Sequence, residues 1–151
     1  MGRVASQRVE KHIRGMERKP KSAKLVVAAK DGRRVLLVRR RRDGLWTFPG
    51  GKRNGASESL KKCLSREIRE ELPRLRLRKF HLWKKVGGVN GISGRQMSDA
   101  IYFTRGAKGS LTIGDRSEID KAEWRRPWKL KVTPTSRYIL SRLLSEGLIK
   151  R

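Results

Sequence analysis

Cysteine occurs once in this 151-residue chain, as Cys63, which excludes an internal disulfide framework and a Cys-rich zinc site. Histidine is nearly as scarce, and His12 and His81 leave little material for a histidine-based metal centre. No apolar run approaches the ~20 residues of a membrane span, and no signal-peptide core follows the first residues. These absences point to a cytoplasmic protein. Acidic residues are the remaining shortage: 14 Asp and Glu face 40 Lys and Arg, giving a formal net charge of +26 and a pI near 11.6. Such a field attracts polyanions. Nucleic acid, nucleotides, inositol phosphates and an acidic membrane surface all fit it, as does a generally basic surface habit, and charge alone selects none of them.

At this length the chain reads as one domain with a hydrophobic core of its own. Residues 1–23 carry seven Lys or Arg and read as a basic N-terminal arm, flexible or with a short helix on Val9, Ile13 and Met16, ahead of a domain over 24–151. "KLVVAAKDGRRVLLVRR" predicts two strands around an Asp31-Gly32 turn. "LWTFPGG" predicts a short strand ending in a Pro-Gly-Gly break. Leu60, Leu64, Ile68 and Leu72 recur every four residues and predict a helix over Leu60–Leu72, capped by Ser57 or Ser59 and ended by Pro73. "LRLRKFHLWKKV", "DAIYFTRG" and "EIDKAEW" read as further strands, with the glycine-rich "GGVNGISGR" as a hairpin connection. Thr133-Pro134 starts a last helix, striped by Ile139, Leu140, Leu143 and Leu144 and stopped by Gly147. Strands with one helix inserted mid-chain and another at the end predict an α/β fold, a mixed sheet between helical layers.

In a chain so poor in acids, "SREIREEL" places Glu67, Glu70 and Glu71 within five residues. Like charges at these helical spacings repel, so a compensating cation is expected. The three side chains can converge on one or more hard cations, and carboxylates without His or Cys select Mg²⁺ or Mn²⁺ over zinc. "FPGGK" just upstream supplies backbone carbonyls that can complete the coordination. Mg²⁺ held by few carboxylates with open positions is typical of enzymes that act on phosphates.

Gly51 to Leu72 resembles the Nudix box, G-x5-E-x7-R-E-U-x-E-E-x-G-U with U a bulky apolar residue. Glu58, seven residues, then Arg66-Glu67-Ile68-Arg69-Glu70-Glu71-Leu72 fall in that register, and "LWTFPGGK" is similar to the lead-in of many members. Two departures stand out: six residues rather than five separate Gly51 from Glu58, and Pro73 occupies the place of the family glycine. The resemblance, to small MutT-like members of the Nudix hydrolase family, implies an α/β/α sandwich with a mixed β-sheet. It implies hydrolysis of a diphosphate linkage in a nucleotide-like substrate by water attack at phosphorus. It further implies that Glu67 and Glu71 bind metal, with Glu70 a further ligand or the group positioning water, and a contribution from the Gly50 carbonyl. Arg66 and Glu58 would orient helix and loop, and Glu118 resembles a later acidic residue that some members use.

Phosphate contacts are expected from Lys52 and Arg53, beside the site. In "RRRR", alternation along a strand would aim Arg40 and Arg42 one way, into the cleft; a solvated strand end is the competing reading. Arg95 and Gln96 are placed to line the substrate. Trp46, Trp83, Tyr102 and Phe103 are candidates for base stacking, though strand aromatics are commonly core, as expected of Trp46 and Phe48. Trp124 and Trp128 are expected to pack under the last helix, and His81 to be structural. Cys63 lies on the buried stripe and no G-x-S-x-G is present, which disfavours covalent catalysis. The +26 charge keeps two alternatives open: a nucleic-acid (RNA)-binding module on a Nudix scaffold, or a Nudix enzyme acting on RNA 5′ ends.

Overall fold

The computed structural model describes residues 20–89 and 96–151. Most of the expected basic arm, with its possible helix, lies outside these residues, and so does Arg95. The expected hairpin is described only where Gly87–Val89 run in a strand. Strand β1 (Ser22–Ala28) begins two residues inside the stretch read as the arm. Its unbroken apolar run from Leu25 to Ala28, buried on both faces, explains its central place. Lys30 to Arg34 turn the chain into β2 (Val35–Arg40), with the Asp31 carboxylate accepting from the amides of Arg33 at 2.8 Å and Arg34 at 3.1 Å. β3 (Trp46–Thr47) and β4 (Gly50–Lys52) flank the Pro-Gly break. Helix α1 (Leu60–Glu71) follows, capped by Ser59, whose hydroxyl accepts from the Lys62 amide at 3.2 Å. β5 (Arg76–Leu77), β6 (His81–Val89), β7 (Gln96–Arg105), β8 (Ala107–Lys108) and β9 (Ile119–Arg125) lead to helix α2 (Pro134–Ser145). Thr133 caps α2 by accepting from the Ser136 amide at 3.2 Å, with proline at the first turn, where its missing N–H costs nothing.

β1 runs parallel to β7 over its whole length, pairs antiparallel with β4 through Ser22–Lys24, and meets β2 at Ala28↔Val35. β2 pairs with β3 and β9, and β6 pairs with β7, completing a seven-stranded mixed sheet; β5 and β8 form a separate two-stranded one. Ala23, Leu25 and Val27 face a core closed by Leu64, Ile68 and Leu72 from α1 and its C-terminal end. Val26 and Ala28 face the other core, closed by Ile139, Leu140 and Leu143 of α2. This is the expected α/β/α sandwich. Burying a leucine or isoleucine fully contributes about 1.5–3 kcal/mol, so either stripe holds its helix on the sheet by several such terms.

One packing expectation is corrected. Trp128 does pack beneath α2, but Trp124 joins the α1-side core. The register explains it: Trp124 on β9 stands opposite Leu36, which points to the α1 layer. Among the described residues no helix is long and apolar enough to cross a membrane.

Candidate active site

The apolar stripe of α1 fixes how its charged residues are presented. With Leu64, Ile68 and Leu72 against the sheet, Glu67 and Glu71 are drawn to the edge of the core while Glu70 stays in solvent. Glu71 is 7% exposed, and its Oε2 is buried with no hydrogen-bond partner among the described residues. Burial pushes its carboxyl up to about 8, with the charge of Glu67 adding to the effect and Lys24 opposing it. Burial also raises Glu67, against the stabilising contact of Arg66. Gly51 on β4 lies directly against this side chain: a Cβ there would stand 2.3 Å from the Glu67 carboxyl carbon. Only glycine lets the strand approach the carboxylate so closely.

Arg66 ties the group together. Its Nε donates to Glu58 Oε2 at 2.9 Å and its Nη2 to Glu58 Oε1 at 3.1 Å, a bidentate pair. Nη2 also donates to the Lys52 carbonyl at 3.1 Å, and Nη1 to Glu67 Oε1 at 3.0 Å, with Glu70 at 3.5 Å. Glu58 Oε1 accepts the Asn54 amide at 2.8 Å, which closes the long "KRNGAS" loop on itself. The Arg66 guanidinium, helped by that amide, holds the Glu58 carboxyl down at about 2. The loop, β4 and α1 are thus locked as one unit around the acidic edge.

Glu67 and Glu71, neighbours one helical turn apart, are both raised although Arg66 touches the first and Lys24 opposes the shift of the second. A buried carboxylate oxygen without a donor is a costly arrangement, and a hard cation would supply what is missing; the donor set, all oxygen, fits Mg²⁺ or Mn²⁺. Among the described residues no three acidic, His or Cys side chains already close around a point. Mutual repulsion, with Glu67 held by Arg66, accounts for that spacing.

The family model for the NUDIX domain matches residues 18–143. This chain belongs to the Nudix family. As a Nudix hydrolase it is an enzyme acting on phosphorus-containing acid anhydrides. Solved structures agree on the fold. The MutT NUDIX hydrolase from Burkholderia pseudomallei is 23% identical with a TM-score of 0.63, over 81% of this chain and 98% of that one. The NUDIX domain of Shewanella oneidensis NrtR, in complex with ADP ribose, is 19% identical with a TM-score of 0.69, over 84% and 86%. A bifunctional NMN adenylyltransferase/ADP ribose pyrophosphatase from Francisella tularensis, complexed with AMP and a Mn ion, is 15% identical with a TM-score of 0.55, over 91% and 47%. Comparison with curated proteins gives no match.

In this Nudix frame the structure gathers Glu58, Arg66, Glu67, Glu70 and Glu71 at one edge. Gly50 pairs with Lys24 on β1, and it is the adjacent Gly51 that touches Glu67. Lys52 is exposed and Arg53 half-buried at the end of β4. Glu118 is exposed, its charge is felt by Glu67 and Glu71, and its carbonyl accepts from the Arg41 amide at 2.8 Å. The arginine run departs from its expected geometry because β2 ends at Arg40, so alternation does not reach Arg42, which is exposed in the following turn. Arg40 is paired with Asp43 in that turn, and Arg39 is bidentate to Asp120 of β9 at 2.8 and 2.9 Å. Trp46, Tyr102 and Phe103 are buried and unavailable for stacking, while Trp83 donates to Glu146 at 3.2 Å. Sequence reasoning missed Lys24 as the counter-charge to Glu71, and the packing role of Gly51. The Gly-Gly doublet was a signal for the second; nothing in the β1 pattern marked the first.

Proposed function

We propose that this protein is a Mg²⁺- or Mn²⁺-dependent pyrophosphohydrolase that cleaves the diphosphate linkage of a nucleotide-like substrate by water attack at phosphorus. The observation that carries the reading is the buried, unpartnered Glu71 carboxylate beside Glu67 at a glycine-cleared edge. Glu67 and Glu71 would hold the cation, with Glu70 and the Gly50 carbonyl adding to its shell. A divalent ion bound there neutralises diphosphate charge and makes water a better nucleophile. Glu70, exposed at the edge, would orient the attacking water and accept its proton. The Glu58–Arg66 lock keeps helix and loop in register during turnover. Lys52 and Arg53, with Arg40, Arg42 and Arg95, would grip the phosphates and steer a polyanion inward.

The ligands in the Shewanella and Francisella relatives, ADP ribose and AMP, favour a nucleoside diphosphate linked to a second group. The +26 charge supports a second reading, nonspecific nucleic-acid binding or action on RNA 5′ ends. The test is a panel of nucleoside triphosphates, dinucleoside polyphosphates, sugar nucleotides and capped RNA, assayed for phosphate or monophosphate release. Hydrolysis should vanish with chelator and return with Mg²⁺ or Mn²⁺, and Glu67→Gln and Glu71→Gln should each lower kcat by orders of magnitude. Full turnover in chelator, or near-normal turnover in both variants, would overturn the assignment.

A further inference from the structure

On the outer flank of α2, in the layer opposite the catalytic glutamates, lies a cavity of about 390 Å³ that is open to solvent on one side. Its walls combine the indole of Trp128 with Leu140 and Leu144, the guanidinium groups of Arg137 and Arg151, and the hydroxyl of Ser141. The Arg151 guanidinium lies 4.9 Å from the centre of the Trp128 ring. Among the described residues, neither arginine side chain pairs with a carboxylate, and the buried Trp128 indole N–H has no acceptor.

We propose that this cavity is a second ligand site, distinct from the Nudix centre, for a small organic anion: a phosphate or carboxylate carried on a flat apolar body. Both charged side chains on its wall are cationic, and the Ser141 and Ser145 hydroxyls can donate, so its chemistry suits an acceptor-rich, negatively charged guest. The planar guanidinium groups match an oxyanion bidentately. The indole and the two leucines offer an apolar slot for a ring, and the volume is at the lower end of small-molecule pockets. The site shares no residue with the acidic edge, so it stands or falls independently of the hydrolytic reading.

The test uses the full chain, ¹⁵N-labelled, with the Trp128 indole resonance assigned as the one missing from Trp128→Phe. Phenyl phosphate and benzoate are titrated separately, with benzyl alcohol as the neutral control. A saturable shift of that resonance with at least one anion is expected, and Arg137→Gln and Arg151→Gln should each weaken it roughly tenfold or more. Response to phenyl phosphate alone names a phosphate ester, to benzoate alone a carboxylate, and to both a general oxyanion site. No saturable shift with either anion, equal binding of benzyl alcohol, or undiminished affinity in the Arg137→Gln/Arg151→Gln double variant would overturn the proposal.

Discussion

A Cβ at Gly50 would meet the carbonyl oxygen of Ala23 at 2.1 Å, and the φ of +145° there suits only glycine. Gly50→Ala should therefore part β4 from β1 and lower Tm by roughly 5–10 °C. A Cβ at Gly51 meets instead the far end of a side chain, the Glu67 carboxylate, which can swing away. Gly51→Ala should leave Tm within about 2 °C yet cut kcat by roughly tenfold or more, since small misplacements of catalytic groups are expensive. Calorimetry and turnover on both variants check the contrast; equal effects on Tm would refute it. Glu71 gives a pH signature in metal-free protein. Its folded pKa of about 8 lies above its ordinary 4.5, so the unfolded state is favoured increasingly as pH rises between those values. The stability advantage of Glu71→Gln over wild type, measured by thermal unfolding in chelator, should thus be larger at pH 8.5 than at pH 5. Glu58 acts with the opposite sign and elsewhere: held down at about 2 from its ordinary 4.5, it supports the fold at neutral pH and loses that support progressively as pH falls between those values. An advantage of equal size at both pH values would show that Glu71 is not strained by its burial.

At the scale of elements, α1 is held at its C-terminal end by a chain segment that its own sequence does not name. Its start was legible in Ser59 and its apolar face in the four-residue repeat. Its end was only half legible. Pro73 marks the stop, but the Glu70 and Glu71 carbonyls are satisfied by the Asp115 amide at 3.0 Å and the Gly114 amide at 2.9 Å. Backbone donors look alike in any sequence, so no pattern could reveal that residues so distant cap this helix. A Cβ at Gly114 would lie 2.5 Å from the Glu70 carbonyl oxygen and 3.0 Å from the Pro73 ring. Gly114→Val should therefore push this loop off the helix end, speed amide exchange at residues 114 and 115, and lower kcat severalfold. Unchanged exchange would mean that the loop is held by other contacts. The strand run "LRLRKFHLWKKV" was legible as extended chain, but not its division into β5 and β6, which is set by which sheet each piece joins.

Across the whole molecule, 40 cations share 14 acids, and among the described residues five of the cations lie over aromatic faces. Lys61 lies over Phe80, Lys84 over Trp83, Arg105 over Phe103, Arg125 over Trp46 and Arg151 over Trp128, at 4.9 to 5.4 Å. These contacts satisfy only some of the charge, and the rest projects a field that steers anions. If the field serves a small polyphosphate, added salt should lower kcat/KM with little length-dependent affinity for RNA or DNA. If it serves nucleic acid, affinity should climb with strand length, its logarithm falling with log salt at about −0.7 per phosphate contacted on a single strand. Deleting Met1–Lys19 removes six basic and two acidic side chains while keeping Lys21, whose amide donates to Ser98 and whose carbonyl accepts from Arg53. That truncation should weaken strand binding far more than diphosphate hydrolysis. Loss of hydrolysis in a folded truncated protein would assign the first residues to the active site. The layered architecture was readable because alternation in β1 demands cover on both faces; the basic surface was countable, but its use was not.

That same alternation determines which kinds of genetic change the protein can survive. β1 touches β4, β2 and β7 and divides its side chains between two cores. Replacing one of its residues disturbs one core, but inserting or deleting a single codon between Ala23 and Ala28 would exchange the two sets of side chains and break three registers together. The turn at Lys30–Arg34 carries no such constraint. Variation in length should therefore accumulate there and in the loop closed by Glu58, while β1 changes in kind but never in count.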